Sequence, residues 1–174
     1  PGESDLKLST KVYANMARAH AAAYRAIHRL QPESRVGYAL HFRPLLPAHR
    51  RSPLDRLVRN ILFEGINLAF PSAVSSGVMQ TPFGRVSLPE VKGTQDYFGL
   101  NYYSTETVAF DLRNRAEVFS RSFYPLGTDV ADAKMNANIP EGFFSAIKWV
   151  VRTYPNLPIL VTENGIEDSS DRIR

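Results

Sequence analysis

"LPILVTENG", residues 157–165, is a short apolar run that ends in one carboxylate, Glu163, and turns at once through Asn164-Gly165. An apolar run of this length without polar alternation is typical of a strand that is buried on both faces of a parallel sheet. Such sheets bind their ligands at the carboxyl ends of their strands. An acid at the last position of this strand therefore suggests a functional site at that end of the sheet.

The rest of the chain predicts helices that alternate with similar strands. Apolar residues three and four positions apart predict a helix over residues 8–30 and another over residues 52–70, which begins with Ser52 and Pro53. Mostly apolar runs predict strands at residues 35–42 and 95–104, and residues 139–154 predict a third helix. The intervening residues 71–94 and 113–138 are predicted to be long irregular segments.

This order of elements indicates an α/β protein with a parallel sheet that is covered on both faces. Three strands leave open whether the sheet is doubly wound or forms a barrel, although long loops after strands favour a barrel. The sequence contains no internal repeat and no stretch typical of a linker. We therefore expect residues 1–174 to belong to a single domain.

The composition of the chain argues against two classes of binding partner, nucleic acids and membranes. The chain has 174 residues, of which 44% are hydrophobic, and a net charge of +4. The arginine-rich residues 42–59 lack the interleaved aromatic residues that stack on bases, so we expect no nucleic-acid partner, and the apolar runs are too short to predict membrane insertion. The absence of cysteine favours a reducing, cytoplasmic location, with a removed signal peptide as the open alternative.

Two other function classes lack their motifs. The sequence has no phosphate-binding glycine loop and no G-x-S-x-G element, which argues against a nucleotide enzyme and a serine hydrolase. His20 and His28 lie eight positions apart, without the spacing of four that a zinc-binding helix uses. These observations argue against a nucleotide cofactor and against a zinc-binding helix.

Polar residues follow all three predicted strands, and they are the candidate site residues. They are His41 and Arg43, then Asn101, Tyr102 and Tyr103, and finally Thr162, Glu163 and Asn164. Each has a structural alternative: His41 as a core histidine, the paired tyrosines as packing, Glu163 as half of an ion pair and Asn164-Gly165 as a plain turn. A polar group repeated at equivalent strand ends is nevertheless expected of a site rather than of packing.

Several of these segments together resemble one family. "LPILVTENGIED" followed by "DRIR" closely resembles the nucleophile segment of glycoside hydrolase family 1, the β-glucosidase family of retaining enzymes. "RVGYALHFRPLLP" is similar to the fifth strand of that family's (β/α)8 TIM barrel, and "GTQDYFGLNYYS" is similar to the sixth. The resemblance covers nearly the whole chain. It implies an incomplete barrel, with about strands five to seven and the preceding helix.

The resemblance also implies roles for individual residues. Glu163 would be the nucleophile that forms the glycosyl-enzyme intermediate, and Tyr103 the phenol that hydrogen-bonds to it and orients it. Asn101 would lie near the sugar, and His41, where many relatives have asparagine, would be a further substrate contact. Such chemistry needs an ionised carboxylate on a rigid element, with a donor that favours its charged form.

The function that the resemblance implies is hydrolysis of terminal β-D-glucosides or related β-glycosides by double displacement, with neither a cofactor nor a metal ion. The family's acid/base glutamate is expected before residue 1, so the remainder of the barrel would be required and the chain alone would be inactive. One alternative is a barrel that has lost catalysis and serves as a glycan-binding or receptor module. Another is an assembly in which a second chain supplies the rest of the barrel.

Overall fold

The computed structural model describes residues 5–170, which begin with helix α1, Leu6–Leu30. The side chain of Asp5 caps this helix by accepting hydrogen bonds from the backbone N–H groups of Lys7 (2.8 Å) and Leu8 (3.1 Å). Ala14, Ala17 and Ala21 are buried on one side of the helix, whereas Val12 and Met16, which belong to the apolar pattern that predicts this helix, are 49% and 54% exposed. The predicted helix at residues 8–30 is confirmed.

The remaining elements follow in chain order. They are strands β1 (Gly37–His41) and β2 (Leu45–Pro47), helix α2 (Pro53–Phe63), a π-helical segment (Glu64–Leu68), helix α3 (Ala69–Ser76), strands β3 (Val78–Thr81), β4 (Gly84–Ser87), β5 (Tyr97–Tyr102), β6 (Glu106–Phe110) and β7 (Ser120–Phe123), helix α4 (Pro140–Thr153) and strand β8 (Ile159–Asn164). Short 3₁₀ turns lie at Pro89–Val91 and Arg115–Glu117.

The central sheet consists of β1, β5 and β8, in that order, and both pairs are parallel. These are the three strands that the sequence predicts. Strands that are consecutive among the predicted elements are neighbours in space, as they are in a barrel. The carboxyl ends of all three strands therefore lie at the same end of the sheet.

The outer face of this sheet packs against α4. Phe98 and Leu100 of β5 are fully buried there with Ala146 and Val150 of the helix, and the Phe98 ring stacks on Tyr154 with centroids 5.2 Å apart. Gly142 in the first turn of α4 lies so close to β5 that a Cβ atom would come within 2.3 Å of the Tyr102 hydroxyl. The first turn of α4 therefore packs closely against the carboxyl end of β5.

A second sheet, with the order β2-β6-β7, extends the carboxyl end of the central one. Asp55 of α2 is 5% exposed and accepts hydrogen bonds from the backbone N–H groups of Phe110 (2.9 Å) and His49 (3.0 Å). Burial raises the pKa of Asp55, but these hydrogen bonds and the contact with the His49 ring together outweigh burial, and the net shift is downward. One carboxylate thus ties the second sheet to α2.

The prediction that residues 71–94 are irregular is wrong. Helical structure continues through the π-helical segment into α3 and ends at Ser76, and β3 and β4 then form an antiparallel hairpin. Pro71 does not break the helix because it lies in the first turn of α3, where a missing N–H is tolerated. Gly77, with φ +77°, then ends the helix in the left-handed conformation.

The prediction for residues 113–138 is wrong in part. Strand β7 lies inside this segment and pairs antiparallel with β6. Strands β2 and β6 were also not predicted. All three have three to five residues and no clear alternation of polar and apolar positions, so the sequence carries little local signal for them.

Within residues 5–170, the inner face and both edges of the central sheet are left open. Among the described residues, β1 and β8 each pair only with β5. Leu160 and Val161 of β8 are 50% and 49% exposed. No helix in residues 5–170 is long and apolar enough to span a membrane. Residues 171–174, which include the "DRIR" part of the resemblance, lie outside the described residues.

Candidate active site

The site is built on a β-bulge between β5 and β8. Leu100 pairs with Val161, but the next residue of β5, Asn101, pairs with Glu163, so Thr162 is an extra residue in β8. A bulge of this kind re-aims the side chains that follow it. Here it brings the consecutive side chains of Thr162 and Glu163 to Asn101, near the end of β5, and to Tyr103, which directly follows that strand.

The central contact joins Tyr103 to Glu163. The Tyr103 hydroxyl donates a hydrogen bond to Oε2 of Glu163. This hydrogen bond raises the pKa of Tyr103, with smaller contributions from burial and from the charge of the carboxylate. The phenol therefore keeps its proton at neutral pH and stays a donor. Glu163 itself is solvent-exposed at the open face of the sheet.

Asn101 lies directly beneath this contact. It is 8% exposed, and its Oδ1 accepts a hydrogen bond from the hydroxyl of Thr162. Asn164 fixes the other side of the bulge, because its Nδ2 donates to the backbone carbonyl of Tyr102 at 2.8 Å. Asn164 is thus more than a turn residue, since it holds the end of β8 against β5.

His41 stands beside the tyrosine. It pairs with Asn101 in the sheet register, and its ring meets the Tyr103 ring edge to face, with centroids 5.2 Å apart. Partial burial and the nearby charge of Arg43 lower the pKa of His41, against the opposing effects of Glu106 and Glu163. His41 is therefore neutral at pH 7, when its two ring nitrogens offer one donor and one acceptor.

The structure brings all four predicted site residues to the carboxyl end of the sheet: Glu163, Tyr103, Asn101 and His41. Sequence reasoning gave no role to Thr162, which hydrogen-bonds Asn101, or to Glu106, which pairs with Arg43. Arg43 follows the carboxyl end of its strand, as the other candidate residues do, and this position in the sequence could have indicated a role for it. Nothing local to Glu106 marks it, because its partner lies 63 residues earlier in the chain.

A cavity of about 480 Å³ opens next to the site, between the strand ends and the first turn of α4. Tyr103 and Asn164 form one side of it, and Ile139, Pro140 and Phe143 form another. Within residues 5–170 no group of three or more His, Asp and Glu side chains is arranged to hold a metal ion. The arrangement presents one carboxylate, oriented by a phenol, at an open strand end.

The parallel strands and their polar carboxyl ends define a segment of an α/β protein whose site lies at the strand ends. The family model described as glycosyl hydrolase family 1 matches residues 1–173. The chain therefore belongs to glycosyl hydrolase family 1.

Individual relatives agree with this assignment. β-Glucosidase A of Thermotoga maritima is 28% identical over 177 residues, which cover 95% of this chain and 39% of that protein. The 1,4-β-D-glucan glucohydrolase of Thermotoga neapolitana is 26% identical over 180 residues, covering 95% of this chain and 40% of that one. The solved structure of a β-glycosidase from Pyrococcus horikoshii matches with a TM-score of 0.78 and 28% identity, over 94% of this chain and 37% of the other.

The chain thus spans about two fifths of the length of these relatives. The predicted fold class is confirmed, because the neighbouring structures are (β/α)8 barrels that this chain covers in part. In that barrel β1, β5 and β8 are strands five, six and seven.

Proposed function

We propose that the chain is the part of a retaining β-glycosidase that carries the catalytic nucleophile, Glu163. The substrates would be terminal β-D-glucosides or related β-glycosides. The observation that supports this most directly is the hydrogen bond from Tyr103 to a carboxylate at the end of a parallel strand. The names of the relatives, a β-glucosidase and a 1,4-β-D-glucan glucohydrolase, support the substrate class.

In the proposed reaction an oxygen of Glu163 attacks the anomeric carbon and forms a glycosyl ester while the bond to the leaving oxygen breaks. A general acid must protonate that oxygen, and the resulting base then activates the water that hydrolyses the ester. Tyr103 holds one carboxylate oxygen, which leaves the other free to attack. The raised pKa of Tyr103 keeps this donor protonated throughout.

Retention requires a second carboxyl group about 5 to 5.5 Å from the nucleophile. The Asn-Glu-Pro segment that carries the family's acid/base glutamate does not occur in this sequence, which spans about two fifths of the length of its relatives. We therefore propose that the acid/base group comes from the remainder of the barrel, either in the same polypeptide or from a second chain. The 174-residue chain alone would then be inactive.

The test is Glu163→Gln in the complete protein, assayed with 4-nitrophenyl β-D-glucoside. The amide keeps the shape of the side chain but is a poor nucleophile, so we expect kcat to fall by about 10⁴-fold or more. Glu167→Gln is the matched control, because Glu167 is an exposed acid in the following loop. Turnover at the wild-type rate by the Glu163 variant would refute the proposal.

A second variant tests the covalent role. Glu163→Gly leaves a gap in which azide or formate can act as the nucleophile, and we expect either ion to restore part of the turnover. A wild-type protein that binds β-glycosides but never hydrolyses them would instead support the alternative of a glycan-binding module. The intact pair of Glu163 and Tyr103 argues against that alternative.

A further inference from the structure

The side chain of Thr162, the residue before Glu163, reaches across from β8 to β5. Thr162 is the extra residue of the β-bulge, since Val161 pairs with Leu100 and Glu163 pairs with Asn101. Its hydroxyl donates a hydrogen bond to Oδ1 of Asn101. The residue that interrupts the backbone ladder therefore also makes a side-chain contact between the two strands, directly beside the nucleophile.

Gly99 leaves room for this contact in β5. It lies two residues before Asn101, so the two residues share one face of the strand. A Cβ atom at Gly99 would lie 3.3 Å from Oγ1 of Thr162 and 2.7 Å from the backbone oxygen of Tyr38 in β1. Any residue with a Cβ atom would therefore crowd both the hydroxyl and the neighbouring strand. The glycine keeps open the space in which the Thr162 hydroxyl meets Asn101.

The hydrogen bond from Thr162 sets the orientation of the Asn101 amide. An amide side chain carries an acceptor oxygen and an NH2 group with two donors, on opposite sides of the same carbon. Because Oδ1 faces Thr162, Nδ2 is turned away from it. Within residues 5–170 this Nδ2 has no hydrogen-bond partner. Its two N–H donors are therefore available to a ligand, although Asn101 is only 8% exposed.

The carboxylate of Glu163 favours the same orientation of the amide. Glu163 pairs with Asn101 in the sheet register, and side-chain amide dipoles orient in the field of nearby charges. The amide hydrogens carry a positive partial charge, so the carboxylate attracts them and repels Oδ1. Without the Thr162 hydroxyl, Oδ1 would lose the donor that it has among the described residues, and the amide would be free to rotate.

We propose that Thr162 is a positioning residue, whose hydroxyl holds the Asn101 amide so that Nδ2 donates to the sugar hydroxyl next to the anomeric carbon. This inference rests on the proposed function. Glu163 bonds to the anomeric carbon, C1, and the hydroxyl on C2 is the nearest one to that carbon. Asn101 lies beside Glu163 and is placed to reach it. Hydrogen bonds to this hydroxyl strengthen in the transition state of glycoside hydrolysis.

The experiment compares 4-nitrophenyl β-D-glucoside with its 2-deoxy analogue in the complete protein. We measure the selectivity ratio, kcat/KM for the glucoside divided by kcat/KM for the 2-deoxy glucoside. This ratio does not depend on the fraction of the protein that is folded, so a purely structural role of Thr162 would not change it. Thr162→Val keeps the shape of the side chain and removes its hydroxyl. We expect the ratio to fall by about 10-fold, because the donor to the C2 hydroxyl is no longer held in place.

Further variants separate the hydroxyl from the rest of the side chain. Thr162→Ser restores the hydroxyl and should return the ratio to near the wild-type value. Thr162→Ala also lacks the hydroxyl and should lower the ratio even if valine impairs folding. The matched control is Thr153→Val in α4, which removes a hydroxyl that donates to the backbone carbonyl of Trp149 at 2.8 Å. This control should leave the ratio unchanged.

A double-mutant cycle tests whether Thr162 acts through Asn101. Asn101→Ala removes the donor itself, so we expect it to lower the ratio at least as much as Thr162→Val does. Adding Thr162→Val to Asn101→Ala should then change the ratio no further, because residues that act as one unit are not additive. A further fall of about 10-fold in the double variant would show two independent effects and would overturn the inference.

An unchanged ratio in both Thr162→Val and Thr162→Ala would also overturn the positioning role, and so would a serine variant that does not restore the ratio. These results would leave the proposed function standing as long as Glu163→Gln abolishes hydrolysis of the glucoside. Undiminished activity of Glu163→Gln would instead refute the proposed function, and this inference with it.

Discussion

At the scale of single residues, the pairing of Tyr103 with Glu163 is the feature that gives the site its chemistry. Both residues were predicted because each follows an apolar strand in a sequence that resembles a known family. The bulge at Thr162 was not predictable, because it depends on the register between β5 and β8, about 60 residues apart. The same holds for Glu106, which only the fold brings to Arg43.

Removing the phenol hydroxyl tests this pairing. In the complete protein we expect Tyr103→Phe to lower kcat/KM for 4-nitrophenyl β-D-glucoside by about 10- to 100-fold, because the nucleophile loses a hydrogen bond to its charged form. Tyr13→Phe, on the half-exposed face of α1, is the control. Wild-type kcat/KM in the Tyr103 variant would show that the phenol does not orient the carboxylate during catalysis.

The pH dependence of that variant follows from the direction of the pKa shift. The pKa of Tyr103 is raised above its ordinary value of 10, so the phenol stays protonated below pH 10. Any decline in activity between pH 7 and pH 10 therefore comes from another group. The same decline should therefore appear when kcat/KM is measured against pH for both the wild type and Tyr103→Phe.

At the scale of elements, the sequence predicted the parts whose signal is local. Helix α1 repeats its apolar residues every three or four positions, and β5 is apolar almost throughout. Strands β2, β6 and β7 were missed because they exist only through pairing with distant partners. Helix α3 was not predicted because Pro71, which lies in its first turn, was interpreted as the end of a helix.

Two glycine substitutions test how closely α4 approaches β5. A Cβ atom at Gly142 would lie 1.9 Å from the hydroxyl oxygen of Thr105, so Gly142→Ala overpacks a buried contact. Alanine favours a helix by up to about 1 kcal/mol, whereas overpacking costs about 1–3 kcal/mol. We therefore expect a lower midpoint of urea unfolding for the complete protein.

Gly65→Ala is the matched control. A Cβ atom there meets only the ring of Pro82, at 3.8 Å, which is an ordinary contact distance. The same substitution should be neutral or slightly stabilising at this position. Equal midpoints for the two variants would mean that α4 moves away from β5 without loss of stability.

At the scale of the whole molecule, the part of the chain that the structure describes, residues 5–170, leaves two edges and the inner face of the central sheet open. Unpaired edges and exposed apolar side chains such as Leu160 and Val161 favour association with other chains. This geometry supports the proposal that the site needs the rest of the barrel. The expected cytoplasmic location stays a prediction.

The isolated 174-residue chain is the corresponding test. At micromolar concentration we expect it to aggregate, or to show helical far-UV circular dichroism without a cooperative thermal transition. Light scattering and a near-UV melt measure the two outcomes. A monomer with a sharp cooperative melt would show that the three strands and their helices are stable without further strands.

Thr162, the extra residue in β8, interrupts the pairing with β5 and at the same time places Glu163 beside Tyr103. In an uninterrupted ladder beside β5, Thr162 would pair with Asn101 and Glu163 with Tyr102, and no residue would be left unpaired, which on its own favours folding. Because successive side chains of a strand point to opposite faces, Glu163 would then lie on the face opposite to Asn101, turned away from the phenol. Selection for thermal robustness alone would therefore be expected to remove the irregularity that places Glu163 beside Tyr103.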